Sequence, residues 1–197
     1  MNVKATTTTE EYTEILKSHS KLNWKKILDV QRPYRWNIKR LELGKTLDVG
    51  CGIGRNLMFL ESGSLGIDHN SHSVRLANGF KNLALTVTDF NKVKSKYINH
   101  FDSMLIAHVL EHMRENEAKK LIKSYLPYVK KKIVVICPQE KGFTKDNTHI
   151  NYLDSSSIEK ILKTCGLCVV KSYSFPFHKK FGRFFTYNET VVIAKKD

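Results

Sequence analysis

A doubly wound α/β fold, a parallel sheet covered by helices on both faces, is what this sequence predicts, and three observations carry the reading. Short apolar runs alternate with amphipathic stretches along the chain, the succession expected of strands joined by crossover helices. One run, Leu47-Asp48-Val49, passes into Gly50-Cys51-Gly52-Ile53-Gly54, with glycines at every second residue. Glycine there lets the backbone take positive φ and lets a ligand approach without meeting a Cβ, so the segment reads as strand, tight turn, helix. Finally, 197 residues with 41% hydrophobic content can bury one sizeable core and leave little for a second domain.

The elements follow in chain order. After a threonine-rich start, Glu10 to Leu28 reads as one or two helices, with Tyr12, Ile15, Leu16, Leu22, Trp24, Ile27 and Leu28 as apolar positions. Pro33 is expected to interrupt that segment. Arg55 to Leu60 is expected to open a helix whose first amides hold an anionic or polar group. Leu65-Gly66-Ile67-Asp68 is a second short strand ending in a carboxylate. Val74 to Lys81 reads as a helix, Phe101 to Ala107 as a strand running directly into His108, Glu115 to Tyr128 as a helix and Lys132 to Cys137 as the fifth strand. Ser155 to Thr164 is a helix capped by Asp154 or Ser155 and stopped by Gly166. Leu167 to Ser174 and Thr190 to Lys195 are terminal strands joined by a loop over 175–188. Residues 1–40 are read as an N-terminal helical lid within the same domain, and 41–197 as the body.

Composition narrows the setting. No run of about 18 apolar residues spans a bilayer, and the start lacks the apolar core of an export signal, so a cytoplasmic protein is expected. Cys51, Cys137, Cys165 and Cys168 suit a reducing compartment and are read as free thiols. The formal net charge is +14, which favours anionic partners. Basic residues gather in 17–40, 119–145 and 171–183; the middle cluster is an ordinary solvated helix face. The other two mix cations with aromatics, in Arg32-Pro33-Tyr34-Arg35-Trp36 and in 175–185. Such surfaces stack a sugar or base, pair a phosphate or dock at a membrane.

The glycine spacing excludes a dinucleotide fingerprint, which reads G-x-G-x-x-G. The acid-x-G-x-G-x-G pattern instead resembles motif I of the class I S-adenosylmethionine (SAM) dependent methyltransferases. Asp68 ends the second strand where that family places an acid on the ribose hydroxyls. Val87-Thr88-Asp89-Phe90 fits its acid and apolar residue near the adenine, and Ala107-His108-Val109-Leu110-Glu111-His112 matches its leucine-glutamate-histidine segment. The resemblance covers about residues 41–137 by motif. It implies a Rossmann-like seven-stranded sheet, mostly parallel with the last strand antiparallel, and SAM as cofactor with S-adenosylhomocysteine as product. Carried over residue by residue, it implies cofactor contacts at Asp48, Gly50, Cys51, Gly52 and Gly54 in the first turn. Asp68 and His69 would follow from the second strand tip, Asp89 and Phe90 from the third, and Ala107 and His108 from the fourth.

An alcohol acceptor needs a base. His149, in Asp146-Asn147-Thr148-His149, is the candidate, with His108 and His112 as rivals. Two metal-like patterns are set aside, and no metal site is expected. His108-x-x-Glu111-His112 spells an inverted zinc-protease motif, but that needs one helix where a strand ends. Cys165-x-x-Cys168 has no second pair to complete a four-cysteine site, and both thiols are expected to be buried. Adenine-N methylation is disfavoured because strand four lacks an Asn/Asp-Pro-Pro-aromatic ending, and cytosine-C5 methylation because Cys137 precedes Pro138 rather than following a proline. The remainder, with Tyr187-Asn188-Glu189, resembles small bacterial methyltransferases of glycan or secondary-metabolite pathways. The expected acceptor is therefore a small molecule or sugar, anionic and phosphate- or lipid-linked. Methylation of RNA or protein, peripheral membrane contact and a non-catalytic SAM-binding interaction protein are the alternatives.

Overall fold

The computed structural model describes residues 24–196, so most of the expected first helical segment, with Tyr12, Ile15, Leu16 and Leu22, lies outside the described residues. Helix α1 (Trp24–Arg40) leads to β1 (Thr46–Val49) and β2 (Leu65–Asp68). Then come α2 (Ser71–Ala77), β3 (Leu83–Thr86), α3 (Val87–Val93) and β4 (Phe101–Ala107). Helix α4 (Glu115–Tyr125), β5 (Val129–Pro138), the short α5 (Glu140–Phe143) and α6 (Ser155–Thr164) follow. Strands β6 (Leu167–Phe175) and β7 (Glu189–Lys196) close the fold.

The seven strands form one sheet in the order β3-β2-β1-β4-β5-β7-β6. The pairings β3/β2, β2/β1, β1/β4 and β4/β5 are parallel, while β7 lies antiparallel between β5 and β6. The doubly wound Rossmann-like expectation therefore holds, including the reversed last strand. Strand order reverses between β1 and β4, and the crevice beyond the carboxyl ends of strands at such a switch point is where open α/β sheets bind ligands.

Alternation along β4 shows how the two faces are filled. Met104 and Ile106 belong to a core with Ala118 and Ile122 of α4 and Ile158 and Ile161 of α6. Leu105 and Ala107 belong to the opposite core, with Ile38 of α1 and Val74 and Ala77 of α2. All are essentially buried, as a sheet covered on both faces requires.

Three local expectations change. Helix α1 runs through Pro33 because Asn37 and Ile38 are buried beyond it. Asn37 accepts a hydrogen bond from the Tyr173 hydroxyl at 2.8 Å, and Trp36 stacks on Phe175; this docking outweighs the lost helical bond. Residues 55–60 form successive turns instead of a helix. Asn82 explains this, since its side-chain amide donates to the carbonyl of Leu57 at 2.8 Å and to that of Leu60 at 3.4 Å, occupying acceptors a helix would use. Of the cysteine pair, Cys165 is buried but Cys168 is exposed, because alternate side chains of the edge strand β6 face out.

Candidate active site

Backbone geometry builds the first wall of the site. Gly50, Gly52 and Gly54 all have positive φ, of 76°, 52° and 82°, conformations that L side chains rarely adopt. The turn is tied to β2 by hydrogen bonds from the amides of Gly50 and Cys51 to the carbonyl of Ile67, at 2.7 and 3.0 Å. The amide of Gly52 donates to Asp68 Oδ2 at 2.8 Å, and that of Asn70 to Oδ1 at 2.8 Å. The turn amides are thus spent on β2, and the ligand-facing chemistry at this end is the Asp68 carboxylate. Cys51 is explained by packing: a Cβ on Gly66 would meet its Sγ at 2.7 Å, so two small residues let β2 and the turn close up.

A cavity of about 870 Å³ opens over these strand ends, within the range of pockets that take a ligand of cofactor size. Its wall includes Gly50, Cys51 and Gly52 from the first turn, Asp68 and His69 at the end of β2, and Ala107 and His108 at the end of β4. Those seven expected contacts come together. His149 joins them from the loop after α5.

Four expected contacts do not line it. Gly54 instead allows close packing, since a Cβ there would meet Ala77 at 3.0 Å. Asp48 is 1% exposed, inside the fold. Asp89 and Phe90 fall within α3 because Thr86 caps that helix. Asp89 is held by the Thr86 hydroxyl at 2.7 Å and by Lys92 at 2.7 Å, while Phe90 is buried among Tyr97, Tyr125 and Tyr128. Val87 takes the place on the wall expected of that pair.

Burial pushes the Asp48 carboxyl from 3.8 up to about 7, with Asn56 opposing and the Asp68 charge adding. Between these values the folded protein holds a proton that the unfolded chain releases, so this residue's contribution to stability falls as pH rises through that window. Asp48→Asn removes the dependence. We expect its melting temperature to gain on the native protein between pH 4 and pH 8, by about 5 °C at the upper end; parallel pH lines in differential scanning calorimetry would refute it.

The far wall is a cluster of titratable groups. His108 has φ of 58°, a strained turn out of β4 that aims its ring between two carboxylates. Its Nε2 lies 2.8 Å from Glu189 Oε1 and its Nδ1 3.5 Å from Glu111 Oε1. Burial works to lower the His108 pKa, but the bonds and charges of Glu111 and Glu189 outweigh it and carry it up to about 10. The two carboxylates thus favour the protonated form of the His108 ring, which disfavours it as a base. Burial lowers the pKa of His112, with the neighbouring His149 adding to the effect against the pull of Glu111.

His149 Nδ1 lies 2.7 Å from the carbonyl of Phe143. A carbonyl only accepts, so Nδ1 carries a proton, and in the neutral ring the lone pair is then on Nε2. Nε2 points toward Glu111 and Asp146, 3.9 Å from each.

Sequence reasoning missed Glu189 and Tyr34 as parts of this wall and Glu111 as the buried carboxylate behind it. Tyr34 lines the cavity and donates its hydroxyl to Asn56 Oδ1 at 3.0 Å; burial, then the charges of Glu189 and Asp48, raise its pKa. Its placement between cations and aromatics was the only available signal.

A family model described as a methyltransferase domain matches residues 42–196. The chain belongs to the methyltransferase domain family. It is a class I, SAM-dependent methyltransferase, as the motif resemblance implied. Among solved structures, this methyltransferase is similar to a SAM-dependent methyltransferase from Archaeoglobus fulgidus, at TM-score 0.66 and 20% identity over 84% of this chain and 94% of that one. Magnesium protoporphyrin IX methyltransferase from Synechocystis with bound SAH gives TM-score 0.68 and 14% identity, covering 97% and 96%. The N-methyltransferase NodS from Bradyrhizobium japonicum gives 0.63 and 14%, covering 85% and 97%. These likenesses establish the fold. No curated protein matches the chain.

Proposed function

We propose that this methyltransferase methylates a hydroxyl group of a small molecule or sugar carrying an anionic, phosphate- or lipid-linked group. The observation that carries the reading is His149: it lines the cavity, and its Nδ1 proton is committed to a carbonyl, so the neutral ring holds its lone pair on Nε2. Solved relatives include an N-methyltransferase and a porphyrin methyltransferase, so the fold serves acceptors of different kinds and the acceptor is inferred from this chain's own cavity.

The residues at the first wall fit a nucleoside cofactor. Asp68 is held rigidly by two amides, yet each carboxylate oxygen retains a second lone pair for a ribose hydroxyl. Gly50, Cys51 and Gly52 would lie along its amino-acid portion, and Val87 beside the adenine. When bound, SAM supplies an electrophilic methyl group whose C–S electron pair returns to sulfur on transfer. The acceptor oxygen forms the new O–C bond and its proton passes to His149 Nε2. Holding the two reactants in line is the larger contribution, roughly 7 to 11 kcal/mol in well-oriented systems.

The cavity mouth favours an anionic acceptor. Phe177, Phe185 and Tyr187 line it, with Phe181 and Phe184 exposed nearby in sequence among Lys179, Lys180 and Arg183. Rings that stack on a sugar or enter a lipid surface, beside cations that pair a phosphate, match that class. Among the described residues no helix is long and apolar enough to cross a membrane. The cytoplasmic assignment and α1 as part of a lid remain parts of this proposal; residues 1–23 of the expected lid lie outside the described residues.

The test is His149→Ala, assayed against a panel of phosphorylated sugars and lipid-linked glycans. Turnover should fall by about 10² to 10⁴-fold, the usual contribution of a positioned base, while S-adenosylhomocysteine affinity by calorimetry stays within about threefold. Undiminished turnover would remove His149 from the chemistry.

A further inference from the structure

We infer that Glu111, His112 and His149 form a binding site for a divalent first-row transition cation in the cavity wall. One potential ligand atom from each lies within 4.8 Å of the others, although the three come from a 3-10 turn after β4 and from the loop after α5.

Both histidines are prepared for this. His149 gives its Nδ1 proton to the Phe143 carbonyl. His112 Nδ1 lies 3.0 Å from Thr148 Oγ1 and 3.3 Å from the Thr148 carbonyl. The Thr148 hydroxyl is itself donated to Asp146 at 2.6 Å, so it accepts from His112, and the carbonyl can only accept. The tautomer with the Nε2 lone pair is therefore set in both rings by neighbours on the opposite side, the arrangement that orients metal-ligating histidines.

Glu111 supplies the independent observation. It is 0% exposed, and its carboxylate makes no well-formed hydrogen bond, being met by the His108 ring at 3.5 Å and by the Cys137 thiol. A fully buried carboxylate is costly unless an ion or a set of donors satisfies it, and the His108 cation touches it only at 3.5 Å. Asp146, whose Oδ2 lies 3.9 Å from His149 Nε2, stands where a fourth ligand would come from. Two imidazoles with carboxylate favour zinc, manganese or iron over magnesium and calcium, which prefer oxygen alone. Ligand atoms in a tetrahedral zinc site lie roughly 3.3 Å apart, so atoms that now lie within 4.8 Å of one another would draw together by up to about 1.5 Å to close on an ion.

The sequence pattern His108-x-x-Glu111-His112 is thus split by the strand end. His108 faces Glu189, and His112 finds its partner in His149. The cation's use in methyl transfer rests on the hydroxyl-acceptor reading: a bound ion would take up the His149 Nε2 lone pair and would supply Lewis acidity to the acceptor hydroxyl in place of the base that His149 provides in the metal-free protein.

The experiment is calorimetric titration of chelator-treated full-length protein with Zn²⁺ and with Mn²⁺, without SAM or acceptor. One site per chain is expected, weakened at least tenfold in Glu111→Gln and in His112→Gln. It should be retained in His178→Gln, a surface histidine outside the cluster. Asp146→Asn serves as a second variant if either substitution prevents folding, and a milder weakening is expected of it. No saturable one-to-one binding, or binding untouched by all three cluster variants, overturns the site. Because S-adenosylhomocysteine affinity is measured separately, failure here leaves the methyltransferase reading to its own test.

Discussion

Asp68→Ala is expected to weaken SAM binding by at least about 100-fold. The carboxylate is 7% exposed and does two things at once. It receives the amides of Gly52 and Asn70, both at 2.8 Å, which fixes the glycine turn against β2, and its remaining lone pairs face the cavity where the ribose would lie. A hydrogen bond to a charged group contributes about 1.5 to 3 kcal/mol, so two lost ribose contacts correspond to roughly 3 kcal/mol or more, about two orders of magnitude in affinity. The two roles separate with a ligand pair. The native protein should discriminate S-adenosylhomocysteine from its analogue lacking both ribose hydroxyls, and Asp68→Ala should not. Equal loss for both ligands would make Asp68 a staple of the turn alone, and unchanged affinity would dismiss the ribose assignment.

The parts of this site that were legible in the sequence are those built from residues close together in the chain. The glycine turn after β1 and the acid after β2 are each set by a few consecutive residues, and so is helix α6, whose bounds fall at Ser155 and Thr164 with Asp154 as its cap. What failed was decided from a distance. Residues 55–60 have an acceptable helical pattern, but Asn82 takes their carbonyls from more than twenty positions away. Asp89 and Phe90 have the right types and order, but the Thr86 cap starts α3 at Val87 and turns one to solvent-side Lys92 and the other into the core. Glu189 reaches His108 only because β7 inserts antiparallel beside β5, pairing Glu189 with Pro138. No local pattern announces that pairing. The same reasoning explains why His149 was recognisable as chemically capable while Glu111, its neighbour in space, was read only as part of a motif.

Gly50→Ala should destabilise the protein by about 2 to 4 kcal/mol, a loss in melting temperature on the order of 10 °C, and Val109→Ala should recover a large part of it. Two separate strains meet at this position. With φ at 76°, any L residue enters the left-handed region at a cost of about 1 to 2 kcal/mol. A Cβ there would also collide with Val109 Cγ2, and valine, branched at Cβ, has little rotamer freedom with which to yield. Overpacking of this kind costs about 1 to 3 kcal/mol. Val109 follows His108 at the end of β4, so relief by displacement would shift the strained turn that aims His108 at Glu189 and Glu111. Shortening Val109 removes the collision and leaves the backbone strain, so the double variant should be more stable than Gly50→Ala even though Val109→Ala alone is slightly destabilising. The coupling energy from urea unfolding of the four proteins measures the contact directly. Additive effects would mean that the turn and the end of β4 do not meet as described, and the cavity would then lose the wall that the two share.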